Sequence, residues 1–409
     1  MTRFHKYMGA LVGAAAALGL AQAAAAQPQP LKIGVIMPLT GELADYGSTS
    51  LNGINLAADE INKAGGVLGA PVTLAIGDDQ TSPQSGVSAA QKLVSVEKAT
   101  VLVGPMGSGV FIPVAKTVAL PAGIPIITGS ATSSVISTLD QGKGLVFRSV
   151  PSDAFQGVAL ADVAQNKGYK SVGVIYINND YGKGLAENFQ KSFAARGGKV
   201  TGTVGYEPKQ PSFRGEVQKA AAGKPEALLV IAYTGDGVPI LKQALESGLF
   251  KHFLLSDGMR APEIVETLGA DFLEGAAGTS PSPLPGNLAS DNFTAAYKAF
   301  YGENSPKPYI DTFYDATYIA SLAAEQAKST DPAKIAVAIR AVTNGDGEKV
   351  GPGEFAKAKE ILAKGGKITY VGASGPIHFD ANGDTGSTFA HWEITGGDYK
   401  TIRIFEPKP

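Results

Sequence analysis

Twice along this chain, short apolar runs of β type alternate with amphipathic helical stretches, and that rhythm restricts the fold more than any other feature. The first round opens with Leu31–Met37, a continuous apolar run stopped by Pro38. Helical spacing follows from about Tyr46 to Lys63, where Leu51, Ile54, Leu56, Ala57, Ala58 and Ile61 form one apolar stripe. Gly65-Gly66 ends that helix, because glycine takes a positive φ cheaply. Strand-like runs then recur at Val72–Ile76, Val101–Val103, Ile124–Ile127 and Leu145–Val150, with helical stretches near Gln84–Glu97 and Val110–Leu120 between them. The second round starts at Ser171–Ile177 and continues through Lys199–Tyr206, Ala227–Ala232, Phe253–Ser256 and Ala276–Thr279. Such alternation predicts parallel sheets covered by helices on both faces. The expected fold class is therefore α/β, with two doubly wound, Rossmann-like lobes.

The block from about Asn287 to Ala363 is mostly helical and lacks a full set of strands, so it is expected to pack back on the first lobe. After Ile368 the pattern is β again, with Pro376–Phe379, a turn at Asn382-Gly383, then Phe389–Ile394 and Thr401–Phe405. A chain that visits lobe one, lobe two, lobe one and lobe two must cross three times. The crossings are expected near Phe147–Pro151, Gly278–Pro283 and Val371–Pro376, which makes a three-segment hinge that closes while resisting twist. The expected division is 31–148 with 281–372 as lobe one, and 149–280 with 373–409 as lobe two. The length of 409 residues suits two separate cores.

The beginning of the chain carries an address. Arg3 and Lys6 precede the apolar run Met8–Ala21, and Ala24 and Ala26 give an A-x-A ending. That order is expected of a secretory signal peptide over residues 1–26, cleaved after Ala26. The run is short for a membrane anchor, no Cys follows it for lipidation, and no later stretch is long and apolar enough to hold the chain in a bilayer. A formal charge of -2 without a basic stripe makes nucleic acid a poor partner. The absence of cysteine removes disulfides, thiolate nucleophiles and zinc–thiolate sites together.

In an open α/β sheet, ligands bind beyond the carboxyl ends of the strands, where backbone amides point outward. In the first lobe two such turns are Gly104–Gly109 and Thr128–Thr132, which carry Ser108, Ser130 and Thr132. Hydroxyls beside free amides suit a carboxylate; each alone reads as a helix N-cap, and two on neighbouring strands point to a shared anion site. In the second lobe the corresponding turns are Asn178–Gly182, Tyr233–Asp236 and Ser256–Met259. Asp257 suits a ligand ammonium or, equally, a cap for the stretch after Ala261. Tyr46 and Tyr181 are candidate covers for a ligand, or half-buried packing.

These residues carry a resemblance. Gly34–Gly41, Tyr46-Gly47, Asn52-Gly53 and Glu60–Gly66 resemble the opening of the leucine/isoleucine/valine-binding protein family. Asp78-Asp79, Val103-Gly104-Pro105, Asp180–Gly184 and Ser374–Phe379 resemble it further along the chain. The resemblance implies a periplasmic receptor that delivers an amino acid to the membrane permease of an ABC importer, without a cofactor, a metal or a catalytic step. It implies that Ser108, Ser130 and Thr132 hold an α-carboxylate, that Asp257 meets the α-ammonium, and that Tyr46 and Tyr181 cover the ligand. Thr234 stands where several members have Tyr, which opens the side-chain pocket to other small organic acids, aromatic acids or amides. The same fold could also serve a sensor that reports its ligand to a signalling partner.

Competing chemistries find little support. The sequence has no G-x-x-x-x-G-K-[ST] motif, and Ser108 lacks the G-x-S-x-G spacing of a hydrolase elbow. Ser95-Val-Glu-Lys98 matches S-x-x-K without companion motifs and is expected to be solvated helix surface. The histidines have no metal-ligand spacing, and Asp380–Asp384 reads as a β-turn rather than the start of a calcium loop.

Overall fold

The structure is a computed structural model that describes residues 30–386 and 388–408. The expected signal peptide therefore lies outside the described residues. The first sheet contains β1 (Lys32–Met37), β2 (Thr73–Asp78), β3 (Val101–Val103), β4 (Ile126–Thr128) and β5 (Val146–Arg148), all parallel, in the order β2-β1-β3-β4-β5. Its central strands are apolar at nearly every position because helices cover both faces, and β1, β3 and β4 are almost wholly buried.

The second sheet takes β6 (Ser171–Ile177), β7 (Lys199–Tyr206), β8 (Ala227–Ile231), β9 (Phe253–Leu255) and β10 (Ala277–Pro281), also parallel. A small sheet pairs β11 (Glu348–Val350), β12 (Ile368–Gly372) and β13 (Gly375–Pro376). The chain then adds β14 (Phe389–Thr395) and β15 (Asp398–Phe405), antiparallel, to the second sheet, giving β15-β14-β10-β9-β8-β6-β7.

The stripe read in the sequence forms the helix Ala44–Lys63, which buries Tyr46, Ile54, Ala57 and Ile61. It packs on Ile310–Ala327 from the helical block, which puts that block on the first lobe. Gly53 makes the contact possible: a Cβ there would lie 2.2 Å from the Ile310 carbonyl oxygen. Gly65 and Gly66 follow the helix with φ of +86° and +64°.

One crossing is displaced from its expected place near Val371–Pro376. Phe379 N–H donates to Asn344 Oδ1 at 2.9 Å, and Arg340 Nη2 donates to the Asp380 carbonyl at 3.0 Å. Beside β5, Arg148 N–H donates to the Gly383 carbonyl and its guanidinium pairs with Asp384 at 2.7 Å. The buried guanidinium needs a carboxylate, and Asp384 supplies it. Residues 379–384 therefore stay on the first lobe, and pairing with the second begins where Ser282 N–H donates to the Thr388 carbonyl.

No helix among the described residues is long and apolar enough to cross a membrane.

Candidate functional site

The carboxyl ends of the two sheets face one another, and the turns that leave them enclose a small cavity. The first lobe contributes Leu43, Tyr46, Met106, Gly107, Ser108, Ser130 and Tyr309, and the second contributes Tyr181, Tyr233, Asp257 and Gly258. The lobes lie closed: Tyr46 Oη donates to the Gly258 carbonyl at 3.2 Å, the Tyr309 hydroxyl donates to Asp257, and Lys307 pairs with Glu263 at 2.6 Å. About 30 Å³ of free space remains between the walls. A molecule of amino-acid size thus enters only as the lobes part or the rings turn aside.

The first wall is neutral. Ser108 starts the helix Ser108–Val114, but Gly107 holds the cap position, so the hydroxyl is free for other work. Its Oγ accepts the backbone N–H of both Thr132 and Ser133 at 3.1 Å, which fixes one loop upon the other. The Ser108 hydroxyl hydrogen is then the group left to donate. Ser130 Oγ donates to the Met106 carbonyl at 2.9 Å, so this side chain has only acceptor capacity to offer.

Of the seven residues expected at the site, Tyr46, Ser108, Ser130, Tyr181 and Asp257 line the cavity, and Thr132 and Thr234 do not. Thr132 acts through its backbone: its N–H meets Ser108, and its carbonyl accepts from Asp153 N–H and from Arg148 Nη1. Its hydroxyl is buried without a partner. Thr234 is displaced by its neighbour. The helix Thr234–Ser247 begins there, and Tyr233, extended at the cap position, brings its ring to the cavity instead.

The second wall centres on one carboxylate. Asp257 occupies a short 3-10 turn after β9 and does not cap the helix Pro262–Leu268, whose cap residue is Ala261. Its Oδ1 accepts from Gln156 Nε2 at 2.8 Å and from Tyr181 Oη at 2.7 Å, and its Oδ2 accepts from the Tyr309 hydroxyl. Three neutral donors from three separate elements thus hold a carboxylate that is only 3% exposed. Tyr181 stacks on Tyr233 with centroids 5.6 Å apart, and Tyr46 lies 6.5 Å from Tyr309. Burial pushes the hydroxyls of all four tyrosines up; those of Tyr46, Tyr181 and Tyr309 donate, and that of Tyr233 accepts from Asn179 Nδ2 at 3.4 Å.

Behind this wall is a second acid. Asp153 is fully buried, with the Thr132 hydroxyl as its nearest side-chain donor. Burial, then the nearby Asp257 charge, raises its carboxyl well above the usual range. Among the described residues no cluster of His, Cys, Asp and Glu could hold a metal ion.

Residues 30–375 match the family model described as periplasmic binding protein. A leucine-, isoleucine-, valine-, threonine- and alanine-binding protein of Pseudomonas aeruginosa is 30% identical over 314 residues, covering 76% of this chain and 83% of that protein. The branched-chain amino acid transporter substrate-binding protein LivJ of Streptococcus pneumoniae, solved with isoleucine, is 25% identical, with a TM-score of 0.77 over 93% of this chain and 100% of that one. A solute-binding protein of an ABC transporter from R. palustris, solved with benzoate, shares the fold at 20% identity and a TM-score of 0.76, over 93% of this chain and 97% of that one.

Proposed function

The chain belongs to the periplasmic binding protein family, and on that premise we propose that it captures a branched-chain or related amino acid between its lobes for an ABC importer. It is a solute-binding protein and not an enzyme. The observation that carries the ligand assignment is the pairing of walls: a neutral hydroxyl wall at Ser108 faces a buried, donor-caged carboxylate at Asp257. A zwitterion satisfies both. Its carboxylate takes the Ser108 hydroxyl hydrogen, and its ammonium lies against Asp257, whose charge would otherwise be compensated only by neutral donors. The tyrosines supply an apolar surround that accepts an aliphatic side chain.

The closed form gains contacts that the open one lacks, so a ligand bound to both walls shifts the population toward closure. The closed shape is then the form offered to a membrane permease. Export of the chain by the leader at residues 1–26 puts the receptor where such a permease can meet it.

Thermal denaturation with a panel of free amino acids and small organic acids tests the reading, since a ligand that binds only the folded state must raise Tm. Leucine, isoleucine or valine is expected to raise it, and Asp257→Ala to abolish the rise. A response to aromatic acids with none to any amino acid would overturn the amino-acid assignment.

A further inference from the structure

Tyr309 forms a partition. In front of it is the small cavity with Asp257; behind it opens a larger pocket of about 580 Å³ on the hinge side, with Tyr309 bordering both. That volume lies within the range of small-molecule sites. Its walls come from both lobes and from all three crossings, at Pro151, Pro281 and Thr388 among others. Proline, leucine and phenylalanine side chains make much of the lining apolar.

One cation in this pocket is unaccounted for. Arg260 extends from the second lobe just beyond Gly258, and its Nε–H is buried with no hydrogen-bond partner among the described residues. Lys307, the other cation on the lining, is already paired with Glu263. Asp311 and Glu406 also border the space; neither lies within salt-bridge distance of Arg260 among the described residues, and the Asp311 charge acts on the guanidinium from farther off. Asp311 accepts its own helix's Thr312 N–H at 2.9 Å. A buried guanidinium N–H left without a partner is costly, so its position needs an explanation.

We propose that this hinge-side pocket is a second binding site, in which Arg260 receives the carboxylate of a small monocarboxylic acid whose apolar body lies against the proline-rich lining. The planar fork of a guanidinium matches a carboxylate in two-point geometry, and no side chain among the described residues hydrogen-bonds its Nε. The site is distinct from the one between Ser108 and Asp257 and does not depend on what that one holds. Because both lobes build it, an occupant binds the closed form preferentially and is linked to ligand capture in front of Tyr309.

Calorimetric titration of benzoate, at constant ionic strength, into the full chain and three variants tests this. Arg260→Gln removes the cation; Ser305→Phe puts a ring into the pocket from a half-exposed wall position; Ser108→Ala with Asp257→Ala disables the front cavity. Saturable binding that survives the double variant and weakens at least tenfold in both Arg260→Gln and Ser305→Phe is the expected result. If Arg260→Gln does not fold, the Ser305→Phe arm decides alone. No saturable binding to the parent overturns the proposal. So does binding that survives the pocket variants, or binding that the double variant abolishes, since the benzoate would then occupy the front cavity.

Discussion

The two walls of the cleft hold their polar groups in opposite ways. On the first lobe, Ser108 and Ser130 spend most of their hydrogen-bonding capacity on neighbouring loops, and what remains for a ligand is one hydroxyl hydrogen in a rigid frame. On the second lobe a full charge is kept available, with neutral donors to hold it still. The first wall works by fixed geometry and the second by charge. A ligand that lacks either of its own charges should therefore lose unequal amounts, and the second wall should tolerate substitution least.

The largest effect is expected from Asp257→Ala. Removing one partner of a buried charge pair costs about 2–5 kcal/mol, or at least roughly 30-fold in Kd for leucine by calorimetry. Ser108→Ala should cost somewhat less, about 1.5–3 kcal/mol for a hydrogen bond to a charged group. An Asp257→Ala loss no greater than the Ser108→Ala loss would erase the contrast between the walls. Between neighbours the comparison sharpens further. Tyr233→Ala removes a ring from the cavity and should weaken binding at least tenfold, whereas Thr234→Ala should change Kd less than twofold. If the two change Kd alike, the register at the start of that helix is wrong.

Arg148→Lys probes how the first wall is held. The guanidinium donates to Asp384, to the carbonyls of Thr132 and Ser133, and to Ser137 Oγ at 2.6 Å. A lysine cannot reproduce that fork, so stability should fall by about 1–3 kcal/mol in chemical denaturation. An unchanged midpoint would remove Arg148 from the support of this wall.

The smallest effect concerns Glu42, the neighbour of Leu43 on the cavity lining. Its carboxyl is pushed up to about 7, first by burial and then by the Asp236 charge, while Lys209 opposes the shift. A carboxyl raised in the folded state adds stability that is present below its unfolded pKa and lost as pH rises toward 7. Glu42→Gln should therefore melt like the parent at pH 4 and above it at pH 8. Equal melting temperatures at both values would show that Glu42 is not strained.

How legible was all this in the sequence? The alternation fixed by hydrophobic period showed both lobes, because strands buried on two faces and helices buried on one must carry those patterns. Ser108 and Asp257 were visible as strand-end residues. Tyr309 was not: it lies 52 positions beyond Asp257 (309 minus 257), in a loop ahead of a helix, and takes a left-handed φ of +81° that no local pattern announces. Gln156 gave no signal either, since a glutamine in a first helical turn is ordinary until the fold brings Asp257 beside it. Tyr233 was missed by one residue, because the sequence does not mark which residue at a helix start remains extended. Ser95, expected on a solvated helix surface, is exposed as the last residue of the helix Pro83–Ser95. The turn at Asp380–Asp384 was readable, since Asp380 Oδ1 accepts the Asn382 and Asp384 N–H groups. Its attachment to Arg148 was not, because the partner lies 236 residues away.

The account rests on a zwitterion held between unlike walls, and one double-mutant cycle tests that most directly. Leucine and 4-methylpentanoic acid, which lacks the ammonium, are titrated into the parent and into Asp257→Ala. The account predicts that loss of the ammonium weakens binding to the parent by at least about 30-fold and to the variant by only a fewfold. Equal losses in the two proteins would show that Asp257 does not meet the ammonium, and would contradict the account.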